Sequence, residues 1–235
     1  MTNHDWGRGR EPADEPMFRL ARPLVVIIGL MAAVSVARAV IPPETDELVL
    51  LDFAFIPARY LLADGEPVYP GGWGAMGWTF LTHALLHSGW VHLMVNAAML
   101  AAIGERVLAR LGLARFLALT AVATAAGAAV HLMVAFGSPA PMLGASGAVS
   151  GLFGALLRFW SRPAWVASAS IGESLAEPRV RGILTALVII NVVMAVAGSA
   201  PFGGDGGGVA WGAHLGGFLV GFLGFSAFER PRRRR

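Results

Sequence analysis

The chain has no cysteine and no lysine among its 235 residues. Without cysteine there is no disulfide, no thiolate metal site and no cysteine nucleophile. Without lysine, all 18 basic residues are arginine. Charge of either sign is scarce. Charged residues make up 14% of the chain, against about 25% in soluble domains. So few charges cannot cover a soluble surface of this size, which excludes an ordinary soluble globular enzyme. What fills the space is apolar. Hydrophobic residues reach 56%, mean hydropathy is +0.63, and there are 30 glycines. That is the composition of a membrane protein whose helices pack closely. The net charge of +3 does not imply nucleic acid, because the placement of the arginines matters more than their number.

Six apolar segments can be read as helices of a bundle: Pro23–Ile41, Val91–Val107, Phe116–Phe136, Ser146–Trp160, Gly182–Gly198 and Val209–Phe228. A full span takes roughly 20 residues, so the fourth segment is expected to be recessed. Arginine alternates between the connections. Arg8, Arg10, Arg19 and Arg22 precede the first segment, and Arg106, Arg110 and Arg115 follow the second. Arg158, Arg162, Arg179 and Arg181 follow the fourth, and Arg230 and Arg232 to Arg235 follow the sixth. The other connections carry Glu44, Asp46, Glu47, Asp52, Asp64, Glu66 and Asp205, with Arg59 as their one base and Arg38 near a helix end. The positive-inside rule then places both termini in the cytoplasm.

The expected division is a cytoplasmic tail over residues 1–22, a six-helix domain over 23–228 and an Arg-rich tail over 229–235. The first apolar segment continues past the small-x-small sequence Ala37-Arg38-Ala39, so it reads as an uncleaved helix rather than a signal peptide. The first external connection, Pro42–Trp90, is too long for a turn. Its Phe53, Phe55, Tyr60, Tyr69, Trp73 and Trp78 suit short elements lying in the membrane interface.

Polar groups inside membrane helices are expensive and are functional candidates by default. They are His92, Asn96, Glu105, His131, Ser146, Ser150, Asn191 and His214. Gly144-Ala145-Ser146-Gly147 puts a Gly-flanked serine at a helix start, beside unpaired N–H groups that can serve as oxyanion donors. Helix capping with small-residue packing explains the same tetrapeptide. His214 shares a helix face with Gly217 and Gly221, and Gly147, Gly151 and Gly154 make a matching stripe. Two such stripes permit the close approach that a serine–histidine hydrogen bond requires. A lone imidazole bonded to a backbone carbonyl is the alternative. His92 and Asn96 are four apart and share a face, which suits two oxyanion donors or a polar packing network. His83, His87 and His92 lack a carboxylate at ligand spacing, so no metal site is expected. His131 reads as structural, and nothing places Asp205 behind His214 as a third member.

Together these residues resemble the rhomboid family of intramembrane serine proteases. The resemblance runs from Trp78 through His83, His87, His92 and Asn96 to Gly104-Glu105-Arg106, the Ser146 tetrapeptide, and Ala213-His214 with Gly217 and Gly221. It implies an all-α bundle of six transmembrane helices with a long external first loop. Ser146 would be the nucleophile and His214 the general base. His92, Asn96 and the Ser146 N–H would form the oxyanion hole. His83, His87 and Glu105 would be structural, as would helix packing at Gly147, Gly151, Gly217 and Gly221. Substrates would be transmembrane proteins, with no cofactor, no metal and no nucleic acid, and the expected location is a bacterial inner membrane. Two positions depart from the family pattern. Thr79 stands where Trp78 is often followed by arginine, and Ser150 stands where an aromatic often stacks on the histidine. A catalytically silent client-binding relative would usually lack the serine or the histidine. A transporter would need an ion-binding carboxylate, for which only Glu105 is available, and a soluble-type esterase would need a strand before its serine.

Overall fold

The computed structural model describes residues 20–163, 165–197 and 210–229. Helix α1 (Arg22–Val40) is followed at once by α2 (Pro43–Phe53), the break falling where Pro42 and Pro43 cannot continue a helix. A short hairpin, β1 (Leu62–Ala63) with β2 (Glu66–Pro67), turns at Asp64-Gly65, both with positive φ. Next come α3 (Gly72–Thr82), α4 (Trp90–Leu111), α5 (Leu113–Val134), α6 (Ser146–Leu157), α7 (Ile171–Ala176), α8 (Pro178–Ala197) and α9 (Trp211–Phe228).

Helices α1, α4, α5 and α9 are each long and apolar enough to cross a membrane. Their outer faces carry large apolar side chains such as Val26, Val91, Met133 and Leu223, which lipid rather than water would tolerate. The chain is thus an integral membrane protein built mainly of helices. Helix α6 has 12 residues, about 18 Å at 1.5 Å per residue. That is well short of a hydrocarbon core of about 30 Å.

The second segment runs farther than its apolar stretch predicts, to Leu111, and stops where Gly112 takes φ 74°. Its final turns hold because Arg110 is folded back. Arg110 donates to the Glu229 carboxylate at 2.5 Å and lies over the Phe159 ring. Burial pushes the Glu229 carboxyl up, but hydrogen bonds from Ser168 and Arg110 outweigh it and hold the group below its ordinary value. Nearby, Glu105 accepts the Ala21 N–H at 2.9 Å and so caps α1 onto α4. Arg158, read from sequence as a loop charge, is instead buried at the end of α6. It donates to the carbonyls of Ala169 and Phe222 and to the Ser226 hydroxyl.

The interior is organised by α4, α5, α6 and α9. Leu93, Leu100, Ile103, Val107 and Leu111 line one face of α4, at the spacing of a single helical stripe. They meet Val149, Leu152 and Leu156 of α6 and Phe225 of α9 in one apolar cluster. Between α6 and α9 the backbones themselves touch. A Cβ on Gly221 would overlap the Gly151 carbonyl, one on Gly217 would overlap the Gly147 carbonyl, and one on Gly154 would come within 2.6 Å of Phe218 O. Such close approach is how small residues bind helices together in lipid, where apolar burial supplies no driving force. Helix α8 packs more sparingly, through Val180, Ile183 and Leu184 against Phe153, Phe218 and Phe222, and leaves Val188, Ile189 and Val192 exposed.

Gly221→Ala is expected to destabilise the protein by about 1–3 kcal/mol through overpacking. Gly224→Ala, with nothing within 4 Å of its added carbon, should be neutral or slightly stabilising. Thermal unfolding of both variants in one detergent measures the difference; equal midpoints would remove the backbone contact as its cause.

Candidate active site

The serine's position follows from how α6 begins. Gly144 has φ 107°, a conformation that L side chains avoid, and it turns the chain into the helix. Ala145 is the N-cap and Ser146 the first helical residue, so the Ser146 hydroxyl is not engaged in capping. The first N–H with an intrahelical acceptor is that of Val149, bonded to Ala145 O. The preceding N–H groups are the free donors of a helix start.

Helix α9 brings His214 to this point. Its Nε2 lies 2.9 Å from Ser146 Oγ. The hydroxyl can donate to a neutral imidazole here, which is the geometry for making a serine nucleophilic. The glycine contacts of α6 and α9 begin at the residues next to this pair, where a Cβ on Gly147 would lie 3.4 Å from Ala213 O. On the opposite side, α4 contributes His92 and Asn96. A Cβ on Gly144 would lie 2.7 Å from both Cε1 and Nε2 of His92 and 3.6 Å from Asn96 Nδ2. The two side chains therefore lean over bare backbone two residues before the serine. Asn96 Nδ2 donates to His92 O at 3.0 Å and keeps a second N–H. The Ser88 hydroxyl meets His92 Nδ1 at 3.0 Å. Serine and imidazole thus stand at the start of α6 with the two polar α4 side chains beside Gly144, a set of groups whose chemistry suits attack on a carbonyl and stabilisation of the charge that develops on its oxygen.

The long connection before α4 braces this site through its main chain. Phe55 and Met142 exchange N–H and C=O at 3.2 and 2.8 Å, Ala58 N donates to Ser138 O at 2.8 Å, and Gly144 N donates to His83 O at 3.0 Å. The aromatics expected at the membrane interface divide. Phe55 is fully buried, with Tyr60, Phe80 and His83 around it, whereas Trp73 and Trp78 stay exposed. Thr79 is buried and bonds Ala75 O, and its own carbonyl accepts from His83 Nδ1 at 2.8 Å. The loop nevertheless contains a buried arginine. Arg59 donates to Leu51 O and Pro70 O and lies over the Tyr69 ring, and burial lowers its pKa.

His83 and His87 are both buried, and burial lowers each imidazole to about 4. His92 and Arg38 add to the effect at His87, whose ring sits edge-on to His92 with centroids 5.1 Å apart. Among the described residues no cluster could hold a metal ion.

The structure brings together Ser146, His214, His92 and Asn96, with His83 and His87 behind them and Glu105 at the far end of α4. Ser150 is half-buried one turn along α6 and supplies no ring over His214. His131 stands beside the start of α9, its backbone 3.1 Å from where a Gly212 Cβ would sit. The Asn191 side chain, Asp205 and the loop 203–208 lie outside the described residues. Sequence reasoning passed over Ser88, although its four-residue offset from His92 was the signal. Arg38 reads from sequence only as a charge near a helix end, whereas its guanidinium bonds both Asp46 oxygens and His87 O.

This architecture defines a helical protein of the membrane with a serine–imidazole pair in its interior. The Rhomboid domain model matches residues 74–229, about two thirds of the chain. The chain belongs to the rhomboid family. It is 28% identical to RHOMBOID-like protein 5 of Arabidopsis thaliana, over 97% of this chain and 77% of that protein. It is 31% identical to Rhomboid protease GluP of Bacillus subtilis, over 66% of this chain and only 27% of that larger protein. A third relative, the uncharacterized protein Rv1337 of Mycobacterium tuberculosis, is 30% identical over 67% of this chain and 61% of its own length.

The two buried histidines give a pH dependence of known sign. Unfolded, they take protons near 6.5; folded, only near 4. Stability should be constant above about pH 7 and fall as pH drops from 6.5 to 4, where the unfolded chain binds more protons. Unfolding midpoints in detergent across that range measure it, and a flat profile would contradict neutral buried imidazoles.

Proposed function

We propose that the protein is an intramembrane serine endopeptidase that cleaves membrane proteins in or near their transmembrane segments. The observation carrying this reading is the 2.9 Å contact between His214 Nε2 and Ser146 Oγ, at the start of a short helix inside an apolar bundle. His214 takes the Ser146 proton as the hydroxyl attacks the scissile carbonyl. His92, Asn96 and the Ser146 N–H stabilise the oxyanion. His214 then protonates the leaving amine, and water releases the acyl group.

In this reading α1, α4, α5, α6, α8 and α9 are the six membrane helices of residues 23–228. The connection between α1 and α4 is external, and the tails 1–22 and 229–235 are cytoplasmic. The shortness of α6 supports a serine set below the outer surface, in a cavity lined by protein and open to water. Transmembrane substrates enter beside the sparingly packed α8, and the membrane is a bacterial inner membrane. The chemistry requires no cofactor. Kinship with a relative named as a protease adds support, and so does the retention of both serine and histidine.

Labelling of detergent-purified protein by a fluorophosphonate, with Ser146→Ala and His214→Ala alongside, tests the dyad. Wild type should label and both variants should not. His92→Ala and Asn96→Ala should each lower cleavage of a transmembrane reporter by about 10²–10³-fold, the usual cost of an oxyanion donor. A folded wild type that neither labels nor cleaves would favour a silent, client-binding protein.

A further inference from the structure

We propose that Ser88 is a positioning residue for the oxyanion hole. It holds His92 as the tautomer whose Nε2 carries the hydrogen, so that the imidazole donates into the space above Gly144. The inference rests on reading His92 as an oxyanion donor.

A serine one residue ahead of a helix N-cap would ordinarily be explained by capping, but here the cap is Gly89 and no side chain caps α4. The hydroxyl instead meets His92 Nδ1 at 3.0 Å. A neutral imidazole has one N–H and one bare nitrogen, and the hydrogen bond made by one nitrogen fixes the state of the other. If Ser88 donates to Nδ1, Nε2 carries hydrogen. If Nδ1 donates to Ser88, Nε2 is bare and sets a lone pair beside Gly144, where negative charge would develop. Only the first arrangement can stabilise an oxyanion.

Solvent permits it. Ser88 is exposed, so water can meet its lone pairs while its single proton goes to the ring. It lines a cavity of about 160 Å³ together with Ser35, Arg38, Asp46 and His87. The turn that carries Ser88 is fixed from behind. Arg38 Nη1 donates to His87 O at 2.8 Å, while Asp46 grips Arg38 at 2.6 and 2.9 Å. The residue before Ser88 is therefore tied to α1 and α2, and the hydroxyl is delivered to Nδ1 at a set position.

The test compares wild type, Ser88→Ala and Ser88→Thr, each with ¹⁵N-labelled histidine in detergent micelles. His92 signals are assigned by their loss in His92→Ala. Wild type and Ser88→Thr should show Nε2 protonated and Nδ1 bare, and Ser88→Ala should show a mixture of tautomers. On a transmembrane reporter, Ser88→Ala should lower kcat about three- to tenfold, the contribution of one neutral hydrogen bond, with KM unchanged. Ser88→Thr should restore it. Wild-type His92 protonated on Nδ1, or a Ser88→Ala protein with wild-type tautomer and kcat, would overturn the proposal. If wild type neither labels with fluorophosphonate nor cleaves, the protease reading fails separately, and the ¹⁵N spectra of the same samples still decide the tautomer.

Discussion

Main-chain contact between α6 and α9 is the constraint on which the rest of the molecule depends. Where a side chain would normally separate two helices, the carbonyls of Gly147 and Gly151 occupy the volume that a Cβ on Gly217 or Gly221 would need. The axes are thus brought as near as helices can come. At the upper end of this contact stand Ser146 and His214. Their separation is set by peptide geometry rather than by the fit of flexible side chains. A bilayer that thickens or thins can tilt the pair, but it cannot readily part them. The neighbouring α5 is drawn in by the same means, since a Cβ on Gly216 would reach within 2.5 Å of Ala126 O.

The loops obey a second rule: irregular chain near the membrane must find its hydrogen bonds within the protein. The connection between α1 and α4 satisfies this by pairing with the segment that leads to Ser146, at Phe55 with Met142, Ala58 with Ser138 and His83 with Gly144. Two segments irregular on their own become one braced layer. That layer links the approach to the serine with the histidines that precede α4. Chain entropy lost in ordering some fifty residues is offset by an aromatic core around Phe55 and by these shared backbone bonds.

Much of the geometry of the candidate site was legible in the sequence because its determinants are local. The offset between His92 and Asn96 puts them on one helix face wherever that helix lies. The two glycine stripes announce a close pair of helices, and arginine alternation marks the connections. The missed features depend on contacts that no local pattern encodes. Nothing around Phe55 says that it turns inward while Trp73 and Trp78 stay out. Nothing near Arg158 distinguishes a buried arginine closing a turn from a charge marking a loop. The end of α4 ran past its apolar stretch because Arg110 found a carboxylate and a ring 119 and 49 residues away in sequence. Ser88 is a different case: a serine beside glycine at a helix start suits capping, and only the position of the cap at Gly89 excludes it.

The absence of lysine acquires a meaning from three buried or half-buried arginines. Arg38 reaches His87 O, Arg59 reaches Leu51 O and Pro70 O, and Arg158 reaches Ala169 O and Phe222 O. Arg59 and Arg158 each gather main-chain carbonyls from separate stretches of chain, and Arg38 joins the His87 carbonyl to the Asp46 carboxylate; a planar, forked donor does this in a way that a point charge on a flexible stem cannot imitate. Charge and shape are thus two separate properties of the same residue type. At the end of α4 the fork of Arg110 likewise bonds Glu229 while its plane lies over Phe159. At Arg59 and Arg158 the fork bonds neutral oxygens and shape is what counts, whereas at Arg38 the fork and the charge act together on Asp46.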